Sequence, residues 1–247
     1  MSLQRGRMRT SAAAPSHFDT LPDALCLSTG VFFLTIATAD APAGSQRVLF
    51  VLASARPRGN SEHLARAAAA ALPPQAAQEW IRLSDTPLAP FRDIRHETPS
   101  YSLPDGRERM LLDATLSATD LVIVAPLYWY SLPASAKLYL DYWAGWLRIA
   151  ECDFRNRMKG KRLWAVTVIS SDDDSTADAL TETLQRSADY LDMDWRGVLL
   201  GHGSRPGEIA LDAKAIAAAA HFFGAAAMQH PQADVDDPDL VECDVKG

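Results

Sequence analysis

The sequence predicts an α/β protein: a doubly wound, three-layer α/β/α sandwich on a five-stranded parallel sheet of order 2-1-3-4-5. Three observations carry that expectation. Short, nearly continuous apolar runs alternate with amphipathic, Ala- and Leu-rich segments through residues 47–224. The runs lack the alternation of a strand wetted on one face, so both of their faces are buried. A helix-length segment separates most runs from the next, as parallel neighbours require.

Each element follows in order. Residues 47–54 (RVLFVLAS) are a buried strand ending in small residues. Residues 61–72 (SEHLARAAAAAL) are a helix stopped by Pro73 and Pro74, which cannot continue it. Residues 79–84 (EWIRLS) are a second strand. The stretch 85–106, with Pro87, Pro90, Pro99 and Pro104 and few periodic apolar positions, reads as a long loop. A helix over 107–118 leads into the cleanest buried strand, 120–126 (DLVIVAP). Helical periodicity follows over 133–147, a strand over 163–170, a helix over 175–192, a strand over 195–201 and a last helix over 211–224.

Outside that body, residues 1–46 form an N-terminal extension and residues 230–247 an acidic tail, with the folded domain over 47–229. The run 24–39 (ALCLSTGVFFLTIATA) partly resembles a secretory signal. Its leader is long and holds Asp19 and Asp23, and Ser28, Thr29 and Gly30 break the run. An arm packed on the body, or an extension from an early start codon, fits those departures better. Cys26, Cys152 and Cys243 are odd in number and widely spaced. They imply reduced thiols in a cytoplasmic protein rather than a disulfide framework or a metal site.

Charge excludes some partners. The 31 acidic and 24 basic residues leave a net charge of −7, which argues against nucleic acid or an anionic membrane surface. Residues 1–46 balance three Arg against three Asp, and residues 230–247 carry six acids against Lys246. Most of the acidity therefore belongs to the tail.

In doubly wound sheets, ligands bind beyond the carboxyl ends of the strands. The loop after the first strand, residues 54–61, reads SARPRGNS and runs straight into a helix. The free N–H groups and positive dipole end of that helix suit a phosphate. Ser54, Asn60 and Ser61 add neutral donors, and Arg56 a charged fork. A simple βα turn with a Ser or Asn cap is the alternative. It is neither a Walker loop nor G-x-G-x-x-G. The loop after the third strand reads Pro126, Leu127, Tyr128, Trp129, Tyr130, Ser131. Three consecutive aromatics cannot share one buried face, so a rigid aromatic platform beside a phosphate cradle is expected. Tyr139, Tyr142, Trp143 and Trp146, at helical spacing, belong to the core or to a subunit interface.

The pair of motifs, S-x-R-x-x-G-N-S and D-L-V-I-V-x-P-L-Y-W-x-S-x-P-A-x-x-K-x-x-x-D, resembles the NADPH-dependent FMN reductase and NAD(P)H:quinone reductase group of flavodoxin-like proteins. The resemblance covers about residues 47–224. It implies a flavodoxin-like fold with FMN bound and NADPH or NADH as co-substrate. Ser54, Arg56, Asn60 and Ser61 would then hold the FMN phosphate. Pro126, Leu127, Tyr128, Trp129 and Tyr130 would lie against the ring, largely through backbone donors, with Ser131 closing the turn. It also implies a homodimer or homotetramer, here joined through the aromatic face of residues 139–146.

The third loop departs from the pattern. Where the family carries glycines, this chain has Ser170 and Ser171, which can donate hydrogen bonds, followed by Asp172, Asp173 and Asp174. The acids are expected to face solvent and cap the next helix. One turned toward the ring would lower its reduction potential. Residues 201–208 (GHGSRPGE) read as a mobile turn. The reading reached is an FMN-dependent oxidoreductase passing hydride from NAD(P)H, via flavin N5, to a small electron acceptor such as a quinone or free flavin. A flavodoxin-like electron carrier and a flavin-free binding module are the alternatives.

Overall fold

The computed structural model describes residues 46–98 and 100–224, all within the unit Ala41–Gly247. The expected extension through residue 45 and the acidic tail from residue 230 lie outside the described residues. So do Cys26, Cys243 and the apolar run 24–39.

Five strands, β1 (Arg47–Leu52), β2 (Ala77–Arg82), β3 (Asp120–Val124), β4 (Arg162–Ile169) and β5 (Asp194–His202), form one sheet. Its order is β2-β1-β3-β4-β5 with every pairing parallel, as the apolar runs predict. Side chains alternate between two cores. Val48, Phe50 and Leu52 pack with α1 (Asn60–Ala69) and α6 (Ala213–Ala219). Leu49 and Val51 join the core built by α2 (Gly106–Ser117), α3 (Ala134–Trp146) and α5 (Asp178–Tyr190). A two-residue side-chain period with both faces covered is what a doubly wound sheet requires.

One buried charge anchors the sheet. Asp120, at the start of β3, is fully buried. Its carboxylate accepts from Arg162 Nη2 at 2.6 Å, Trp164 Nε1 at 2.9 Å and Thr119 Oγ1 at 2.7 Å. The burial cost of the ion is met by this full set of donors.

Three expectations change. The helix expected over 211–224 is divided: a 3₁₀ turn Glu208–Leu211 precedes α6, and a second, Phe222–Gly224, follows it. Asp212 starts α6 by accepting from the Ala215 N–H. A short helix, α4 (Phe154–Met158), has no counterpart in the sequence reading because five residues are too few to show a period. The interface expected on α3 is the third correction. Tyr139 and Trp146 are 0% and 1% exposed and Trp143 is buried, so these aromatics are core and offer no surface to a second copy. The sheet covers one side of α3, while Phe154 and the loop after β2 cover the other. Tyr142 Oη donates to the Ala89 carbonyl, and its ring meets Phe91 edge-on.

Candidate functional site

The strand ends are level. Ala53 N–H bonds Val124 O, Ala125 N–H bonds Val166 O and Gly203 N–H bonds Ile169 O. The loops after β1, β3, β4 and β5 therefore open on one edge of the sheet.

The β1 loop builds the cradle. Ser54 is buried and its Oγ accepts the Arg56 N–H at 3.1 Å, tightening the turn. Arg58 takes a left-handed conformation, φ 53°, uncommon for a residue with a Cβ. Gly59 is the N-cap of α1 and supplies no side-chain cap. Among the described residues, the N–H groups of Gly59, Asn60, Ser61 and Glu62 have no acceptor. Four donors at a helix N-terminus are thus left free for an anion.

The third residue of α1, Glu62, reaches back past the N-cap and leaves the Gly59 N–H free. It is 4% exposed and accepts from the Arg58 N–H at 2.9 Å, from Arg82 Nη2 at 2.6 Å and from Arg66 Nη2 at 3.0 Å. Burial pushes its carboxyl up, but the bonds from Arg82, Arg66 and the Arg58 N–H outweigh that and hold it below the usual carboxylate range.

Asn60 shapes the opposite wall. Its Nδ2 donates to the carbonyls of Gly203 at 3.2 Å and Arg205 at 2.9 Å, and its Oδ1 accepts the Gly207 N–H at 2.8 Å. Glu208 accepts the N–H groups of Ser204 and Arg205. The segment expected as a mobile turn is tied at both ends. Gly203 suits the close approach there, because a Cβ would sit 3.0 Å from Ile209 N and 3.1 Å from Asn60 Nδ2 and press on both. Ser54, Arg56, Asn60, Ser61 and Pro126 come together around one cavity of about 80 Å³. That is far below the roughly 300–1,000 Å³ of a whole-ligand pocket and suits a phosphate-sized head group. The guanidinium groups of Arg56 and Arg58 have no carboxylate partner among the described residues.

The other expected site residues stand on neighbouring loops outside that cavity. Leu127 is half-buried against the core. Tyr128 and Ser131 exchange two backbone hydrogen bonds, both 3.1 Å. Trp129 and Tyr130 lie between them with φ of 51° and 61°. Positive φ at both central positions makes this a type I′ turn, which ordinarily selects Asn and Gly. Trp129 is 93% and Tyr130 63% exposed. Their N–H groups have no acceptor among the described residues. Bulky residues held in this region mark stored strain, which clusters at functional positions.

Beyond β4, Ser170 is exposed, and Ser171 Oγ accepts the Asp173 N–H at 3.1 Å. Asp173 caps the following turn through Ser175 N–H, and Asp174 meets His202 Nε2 at 2.9 Å. Asp172 is exposed. Sequence reasoning missed Glu62 and the left-handed Arg58. The signal for Glu62 is its place three residues after Gly59, the spacing from which a glutamate reaches back over a helix start.

An open parallel sheet of order 2-1-3-4-5 with helices on both faces and its loops gathered at the carboxyl edge defines the doubly wound α/β class. A family model described as the flavodoxin-like fold matches residues 46–225, and the chain belongs to that family. A protein of Bacillus subtilis (strain 168), provisionally named the NAD(P)H-dependent FMN-containing oxidoreductase YwqN, is 26% identical over 146 residues, 59% of this chain and 81% of the relative. The solved Trp repressor binding protein from Bacillus subtilis is similar with a TM-score of 0.57 at 23% identity, covering 71% of this chain and 96% of that one. An NADH:FMN oxidoreductase in its apo form has a TM-score of 0.51 at 17% identity, covering 76% and 92%. At these identities the solved structures speak for the fold.

Proposed function

We propose that this protein is an FMN-dependent oxidoreductase that takes hydride from NADPH or NADH and delivers it to a small acceptor such as a quinone or free flavin. One observation carries the reading. The uncapped start of α1, flanked by Ser54, Arg56 and Ser61, opens on the same sheet edge as a strained, exposed aromatic turn. The first arrangement suits a dianionic phosphate and the second a flat heterocycle. The name of the Bacillus subtilis relative, an FMN-containing oxidoreductase, supports the same pairing.

When bound, FMN would supply the two-electron redox chemistry. The chain's own residues bind and orient. The N–H groups of residues 59–62 and the hydroxyls of Ser54 and Ser61 would hold the phosphate, with Arg56 adding charge. The N–H groups of Trp129 and Tyr130 would face the ring, with Pro126 and Leu127 as its floor and Ser131 keeping the turn closed. Ser170 and Ser171 would meet its polar edge. No side chain is assigned as an acid or base. The family resemblance also supports a homodimer or homotetramer, though not one formed through the buried α3 aromatics.

Purified protein tests the reading directly. It should be yellow, release FMN on acid denaturation, and consume NADPH or NADH when a quinone is added. A colourless protein that does not bind added FMN would overturn it. Flavin binding without pyridine-nucleotide consumption would favour the electron-carrier alternative.

A further inference from the structure

We propose that Glu62 and Arg82 are positioning residues that keep the start of α1 open for a phosphate, and that Arg82 acts by holding the Glu62 carboxylate away from it. The inference rests on the assignment of FMN to the cradle.

A glutamate at the third position of a helix ordinarily turns back and occupies the N–H of the N-cap residue. In this chain that would place a negative charge on the donors a phosphate needs. The Glu62 carboxylate is instead drawn aside. Arg82 comes from the end of β2 and bonds Oε2 at 2.6 Å, while Arg66 bonds Oε1 at 3.0 Å from one turn further along α1. The diverted Oε2 accepts the Arg58 N–H rather than that of Gly59. This pins Arg58 in its left-handed conformation and leaves the N–H groups of residues 59–62 without an acceptor. Two guanidinium groups on one carboxylate also leave the cluster net positive beside the expected phosphate. Arg82 and Glu62 lie 20 residues apart, and the Arg82 side chain is only 16% exposed, so this is not a solvent ion pair of negligible effect.

The test compares FMN with riboflavin, which carries the same ring without the phosphate, by fluorescence titration of the flavin-free protein. Arg82→Met frees the carboxylate to turn toward the helix start. The expected result is an FMN Kd raised about tenfold or more with the riboflavin Kd within about twofold of the unsubstituted protein. Adding Glu62→Gln to Arg82→Met restores FMN affinity, because a neutral amide still accepts the Arg58 N–H without repelling phosphate. Arg66→Met, at a half-exposed position, gives the same selective loss in smaller measure and serves if Arg82→Met does not fold. Equal loss of both ligands, or no recovery in the double variant, overturns the inference while leaving the FMN assignment standing. Failure of the unsubstituted protein to bind FMN overturns both.

Discussion

The carbonyl oxygen of Arg205 lies 2.9 Å from the side-chain nitrogen of Asn60, 145 residues away in sequence. With the bonds to Gly203 and Gly207, this one amide fastens the loop after β5 to the first residue of α1. An asparagine that reads in sequence as a phosphate donor thus spends its side chain on building the wall. Asn60→Asp turns a donor toward two carbonyl oxygens into a third acceptor. It should lower stability by about 1–3 kcal/mol, measured by urea unfolding. Hydrogen exchange at the Gly207 N–H should accelerate first. An unchanged exchange rate there would show that the loop is held by other means.

Tyr139 donates its hydroxyl proton to Thr115 Oγ1 at 2.6 Å, since Thr115 already donates to the Leu111 carbonyl. Burial pushes the phenol up to about 12, against a smaller opposing influence of the neighbouring Thr115 and Trp143 side chains. Its folded value is thus raised above the unfolded value of about 10. The stabilisation is fully present below about pH 10 and is lost as pH rises through about 12. Tyr139→Phe should cost about 1 kcal/mol at neutral pH, and the gap between the two proteins should close on the alkaline side. A gap that stays constant to pH 12 would refute the assignment.

The central strands were legible because β1, β3 and β4 are near-continuous apolar runs, and such a run has few places to go except the centre of a covered parallel sheet; β2 (AQEWIR), at the sheet edge, is the exception. Residues 120–124 show this most plainly, being buried at all five positions. For the α3 aromatics the choice between core and interface stayed open for a related reason. Sequence periodicity shows that Tyr139, Trp143 and Trp146 share a face but not what covers it. The cover comes from the proline-rich loop after β2 and from Phe154, neither with a period of its own. Ser54, Asn60 and Ser61 were legible as a cluster because loop and helix are adjacent in sequence. The partners of Asn60 and Glu62 were not, since long-range hydrogen bonds leave no local pattern.

Asp212 starts α6 and closes the end of β5 at once, accepting from the N–H groups of Ala215 at 2.9 Å and His202 at 2.8 Å. The Ala215 N–H chiefly holds its carboxyl below the usual range, with burial opposing and the His202 N–H and ring adding to the lowering. A depressed folded value means stability that is present above the ordinary aspartate range, near pH 4. It is lost as pH falls through the folded value. Asp212→Ala should cost about 1–2 kcal/mol at neutral pH. Its acid unfolding curve should also be flatter below pH 4 than that of the unsubstituted protein. Parallel acid limbs would assign the acid sensitivity elsewhere.

Trp129 and Tyr130 occupy the two positions of a type I′ turn that asparagine and glycine fill without strain. Their rings gain little from packing, because both side chains are largely exposed. Fold stability therefore gives no reason for them, whereas the proposed contact with a flavin ring does. Trp129→Asn combined with Tyr130→Gly keeps the Tyr128–Ser131 closure and removes the strain. The double variant should be more stable by about 1–2 kcal/mol, seen as a higher thermal midpoint. Its affinity for the flavin ring should fall, with FMN and riboflavin weakened together because the phosphate cradle is untouched. A variant that gains stability and keeps full affinity for both flavins would show that the aromatic turn serves something other than the ring.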